Sequence, residues 1–182
     1  MDTPSYPLEP DEKMVPIMIY TTQRLIWGQL IIKEVIRVST WLQTDMAPKY
    51  INLSDGQVLF WGTANAVKPI KLKELSVETK QIIAYHILPP ADEGPYFDPD
   101  EPNRKMESIT ALVGVFRFDC ALRLAEQSNL KTYLSVQKGV FLPVYDALMS
   151  SPLIPSITGV QSPFVLIRQE AALFSHRDQM GS

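Results

Sequence analysis

The stretch Ile26-Trp27-Gly28-Gln29-Leu30-Ile31-Ile32-Lys33 is echoed by Leu112-Val113-Gly114-Val115-Phe116-Arg117-Phe118-Asp119. The two glycines stand 86 residues apart, and so do Arg37 and Arg123 downstream. Further on, Tyr50-Ile51-Asn52-Leu53 pairs with Tyr133-Leu134-Ser135-Val136 at an offset of 83, which Gly56 and Gly139 keep. A chain that repeats folds as copies of one supersecondary unit, so the repeat outweighs every local signal.

The repeated stretches alternate. Ile26, Gly28, Leu30 and Ile32 fall on one face of a strand, as do Leu112, Gly114, Phe116 and Phe118. One face is then core and the other partly in water. After the first strand, Val38, Trp41 and Leu42 have helical spacing, which predicts a short helix over Arg37–Gln43. Ala121–Ser128 holds the matching place in the second copy, and Asp55-Gly56 reads as a hairpin turn. Trp27, Trp41 and Trp61 are expected in cores or between the barrels, with Trp41 plugging an open barrel end. The chain carries 15 Pro and 8 Gly, which suits short strands joined by stiff loops.

The expected organisation is a tail over 1–13, a first small β-barrel over 14–89, a Pro-rich acidic linker over 90–106, a second barrel over 107–175 and a tail over 176–182. The fold class is mainly β: two tandem small barrels, each with a short helix.

At Arg37-Val38-Ser39-Thr40-Trp41-Leu42-Gln43 the first copy resembles a bacterial family of uncharacterised domains in which an Arg, an apolar residue and a Ser open a short helix after the first strand. The strand order is similar to that of Sm-like or SH3-like barrels, and Tyr50-Ile51-Asn52-Leu53 fits its next strand. Thr40 stands where the family has Asp, Gln43 where it has Asn, and the second copy has Ala125 in place of the Ser. The resemblance implies a fold and no activity, because such barrels host many functions.

Catalytic signals are sparse. One cysteine, Cys120, and two histidines, His86 and His176, are too few for a Cys/His zinc cluster. Cys120 reads as buried filler. The carboxylates Asp92, Glu93, Asp98, Asp100 and Glu101 lack the spacing of a calcium loop and read as a solvated linker. There is no phosphate-binding glycine loop and no nucleophile elbow, so no cofactor is expected. Asn52-Leu53-Ser54-Asp55-Gly56, with Arg37 upstream, is similar to the motif of PilZ domains, barrels that bind a cyclic dinucleotide, but lacks the arginine pair and is one residue short.

Arg37 and Arg123 are the charges that the repeat retains. They are either a ligand contact made twice or, as favoured here, arginine forks that tie a loop to its barrel. Lys68, Lys71 and Lys73, near Trp61, form the best basic cluster. The net charge of −3 argues against broad phosphate-driven binding of nucleic acid. The expectation is a non-enzymatic binding or scaffold protein with a protein partner. RNA or nucleotide binding at Lys68, Lys71, Lys73 and Trp61 is the alternative, and cyclic dinucleotide sensing a further one. Exposed strand edges invite homo-oligomers. With no signal peptide or membrane-spanning run read in the sequence, the expected location is the cytoplasm.

Overall fold

The computed structural model describes residues 8–44, 47–61, 68–91, 93–94 and 97–177. The chain divides between Glu93 and Gly94 into two compact units.

Unit 1 contains β1 (Glu12–Tyr20), β2 (Arg24–Lys33), the short helix α1 (Val38–Trp41), β3 (Tyr50–Phe60), β4 (Ile70–Glu78), a 3-10 turn at Thr79–Gln81, and β5 (Ala84–Ile87). Its antiparallel strands run in the order β5-β1-β2-β3-β4. The β1–β2 connection is tight because Thr21 Oγ1 accepts from the backbone N–H of Gln23 and of Arg24, at 3.3 and 2.9 Å. Alternation buries Val15, Ile17 and Ile19 on β1 against Ile26, Leu30 and Ile32 on β2. Gly28 lies in mid-strand because a Cβ there would stand 3.0 Å from the Ser54 carbonyl oxygen.

Unit 2 contains β6 (Arg104–Val113), β7 (Phe116–Ala125), α2 (Leu130–Val136), β8 (Phe141–Ser150), β9 (Val160–Arg168), a 3-10 turn at Gln169–Ala171, and β10 (Ala172–His176). The order within this unit is β10-β6-β7-β8-β9. Phe116, Phe118, Cys120, Leu122 and Leu124 alternate into the core along β7. Asn129 caps α2 by accepting from the Thr132 N–H at 2.9 Å.

In each unit the third strand changes phase. Ile51, Leu53, Gly56 and Val58 are buried on β3, so the inward period breaks at Ser54–Asp55. Leu142, Val144, Ala147 and Met149 are buried on β8, with the break at Tyr145–Asp146. Asp55 and Asp146 both have φ 50°, and the ladder to the preceding strand slips by one residue at each site. A one-residue slip re-aims the strand and keeps apolar side chains on the inner face on both sides of it.

The mainly β class is therefore observed, with differences from the sequence reading. Among the described residues neither ladder closes into a barrel: β4 and β5 meet through the turn at Thr79–Gln81, and β9 and β10 through Gln169–Ala171. Ala121–Ala125 continues β7 instead of forming a helix. Tyr133–Val136 is not a strand but the end of α2, whose start the Asn129 cap sets. Asp55-Gly56 lies within β3 and is no hairpin. Gly28 and Gly114 do different work: one permits close strand approach, the other turns the β6–β7 hairpin with φ 60°.

Candidate functional site

Strand β4 pairs only with β3 among the described residues, so its other edge presents unpaired backbone groups. The β3–β4 register holds Val58 opposite Ile70, Gly56 opposite Leu72, Leu53 opposite Leu75 and Ile51 opposite Val77. The inner side chains of β4 are thus Ile70, Leu72, Leu75 and Val77, with Lys73–Glu74 at the phase change. Val77 is buried, but Ile70 is 50% exposed and Leu72 39%. The core face runs out into solvent along the first half of β4.

A groove of about 450 Å³ opens there, lined by Arg24, Ile26, Val58, Phe60, Ile70 and Leu72 among others. The Arg24 guanidinium lies 5.4 Å from the Phe60 ring centroid, which suits a cation–π contact. Its Nε is buried without a hydrogen-bond partner among the described residues. Lys71 and Lys73 alternate with Ile70 and Leu72 on β4, and Lys68 precedes the strand; all three are exposed and have no ion-pair partner among the described residues. Glu74 and Glu78 occupy the second half of the same strand, which is therefore basic at one end and acidic at the other. Trp61 is half-buried just after β3.

The two arginines are not equivalent. Arg37 is the residue before the first turn of α1, with φ −98°, and its side chain does not cap that helix. The caps come from Glu93, whose carboxylate accepts from Val38 N at 2.7 Å, Ser39 N at 3.0 Å and Ser39 Oγ at 2.7 Å. Arg123 is on β7. Its Nη1 donates to Glu101 Oε2 at 2.6 Å, its Nη2 to the Asp98 carbonyl at 2.8 Å, and its guanidinium lies 4.4 Å from the Phe97 ring centroid. Hydrogen bonds from Arg123 and then Arg104 hold the Glu101 carboxyl below its usual range. The acidic stretch read as a linker is therefore tied down at Glu93 and again at Phe97–Glu101, while Asp92 lies outside the described residues.

The remaining reactive groups are dispersed. Cys120 is buried, its Sγ is 3.6 Å from the Phe118 carbonyl oxygen, and burial, aided by the Asp119 charge, pushes the thiol up to about 12. Cys120 and His176 both register with Ile109, from strands on either side of it. That places them two strand spacings apart, roughly 10 Å, beyond direct proton transfer. His86 is buried 3.4 Å from the Tyr20 hydroxyl. Among the described residues no three His, Cys, Asp or Glu side chains cluster for a metal. Asn52 accepts from Ser76 Oγ at 2.7 Å in a cross-strand bond between β3 and β4. No helix among the described residues is long and apolar enough to cross a membrane.

Sequence reasoning singles out the lysines of this edge and their alternation with Ile70 and Leu72, but passes over Phe60. No known protein family, curated protein or solved structure matches the chain.

Proposed function

We propose that the chain is a non-enzymatic binding or scaffold protein that takes an extended protein strand along β4. We further propose that its units are divergent copies of one small, open unit with Sm-like or SH3-like strand order, similar to the bacterial family above. The order of elements and the phase changes at Asp55 and Asp146 support the duplication. A cytoplasmic setting suits a chain with a single, free thiol.

The observation that carries the binding role is an edge strand whose inner side chains, Ile70 and Leu72, stand exposed beside an apolar groove. An added strand satisfies the open backbone groups and covers those side chains together. A second reading, RNA binding, is favoured by Lys68, Lys71 and Lys73 lying exposed along this edge. It is weakened by Glu74 and Glu78, which repel phosphate from the same strand.

The test is retention by the immobilised full chain. A protein, including the chain itself, is held by wild type and lost with Leu72→Lys, with little dependence on salt. Retention that ignores Leu72→Lys removes β4 as the site. Nucleic acid that salt releases, and that Lys71→Ala with Lys73→Ala no longer holds, replaces the protein reading with RNA.

A further inference from the structure

We infer that the strand taken up by β4 is the β4 of a second copy of this chain, paired antiparallel about a two-fold axis centred between Lys73 and Glu74. This rests on the proposal that β4 is a strand-binding edge and names the occupant.

The argument comes from the phase change. Two identical antiparallel strands related by a two-fold pair each residue with its mirror position about the centre. The inner residues of β4 are Ile70, Leu72, Leu75 and Val77, and they are symmetric about the Lys73–Glu74 step. A two-fold there sets Ile70 opposite Val77 of the second copy and Leu72 opposite Leu75, each pair occurring twice. The half-exposed Ile70 and Leu72 are then met by the better-buried half of the other strand, and two apolar inner faces become continuous.

Charge gives the same register. The step Lys73–Glu74 places each lysine opposite the other copy's glutamate, again twice. Lys71 falls opposite Ser76 and diagonal to Glu74 and Glu78, within reach of a long side chain. The basic first half of one strand lies along the acidic second half of the other, so the edge is self-complementary. Neighbouring registers fail. A shift of one or two residues either way sets Lys73 or Glu74 opposite an apolar inner residue. The phase change therefore selects a single pairing. A two-fold interface also closes on itself, so β4 is used up by one partner instead of propagating a fibre.

Sedimentation equilibrium of the full chain, over a range of concentrations, tests this. Wild type is expected to reach twice the 20.6 kDa chain mass. Lys73→Glu and Glu74→Lys each bring like charges face to face at two places and weaken the dimer about tenfold or more. Both positions are exposed, so folding is preserved, which circular dichroism checks. The double variant carrying both changes regains the dimer. An equimolar mixture of the two single variants forms a heterodimer that neither forms alone. A dimer that neither single change weakens, or that the double change fails to restore, overturns the assignment. A monomeric wild type overturns it too; if another protein is still lost with Leu72→Lys, the strand-binding role of β4 survives with a different occupant.

Discussion

Asp55 and Asp146 hold the same backbone angle, φ 50°, each in the third strand of its unit where the buried positions change phase. Left-handed backbone costs an ordinary L residue about 1–2 kcal/mol, and aspartate is among the few residues that tolerate it. A β-branched residue does not. Asp146→Val is therefore expected to destabilise unit 2 by about 1–2 kcal/mol. Asp146→Gly should stay within about 0.5 kcal/mol of wild type, because easier access to this conformation offsets a more flexible unfolded chain. Urea unfolding of the three proteins decides it. Equal stabilities for the valine and glycine variants would show that the angle is not what the position demands.

Arg123 and the segment at Phe97–Glu101 give a second prediction. The arginine uses both terminal nitrogens and its π face on this segment, and Phe97 packs edge-on against Tyr145 with ring centroids 5.0 Å apart. Removing the guanidinium takes away every one of these Arg123 contacts. Arg123→Ala should speed limited proteolysis at residues 97–101 several-fold, while cleavage elsewhere in unit 2 stays near the wild-type rate. Arg123→Lys should give a partial effect, since an ammonium lacks the planar fork. Unchanged cleavage in Arg123→Ala would mean that Phe97 and the Arg104–Glu101 pair hold the segment without Arg123.

Strand character was legible wherever apolar residues alternate, as along Phe116–Leu124, because a half-buried strand writes its period into the sequence. The alignment of the two halves was not. Gly28 and Gly114 fall at the same place in the repeated motif, yet close strand approach and a hairpin turn both call for glycine, so identity of residue does not mean identity of place. Tyr133–Val136 has the residues of a strand, but the Asn129 cap recruits it to α2. The phase changes escaped for a related reason. A strand that slips by one residue breaks its own alternation at Ser54–Asp55, and Asp-Gly there looks like a turn. At the candidate site, the lysines stood out by charge, whereas the exposure of Ile70 and Leu72 is a property of the open edge and has no signature in the strand itself.

His86 gives the third prediction, on pH. It is 3% exposed on β5, and burial pushes its pKa from the ordinary 6.5 down to about 4. The folded chain thus keeps the imidazole neutral between pH 6.5 and 4, whereas the unfolded chain binds a proton there. The unfolded state holds more protons in that window, so stability rises with pH through it and falls as pH drops from 6.5 towards 4. At about 1.4 kcal/mol per pH unit, the loss attributable to His86 over the window is about 3 kcal/mol. His86→Gln cannot take up the proton and should lose that much less stability on acidification, whatever its stability at neutral pH. Tyr20→Phe should keep the wild-type slope, because burial and not the 3.4 Å contact to the tyrosine hydroxyl sets the shift. Urea unfolding at half-unit steps of pH measures the slopes. Parallel curves for wild type and His86→Gln would place the imidazole in contact with water in the folded chain, and a flattened curve for Tyr20→Phe would transfer the effect from burial to the hydroxyl.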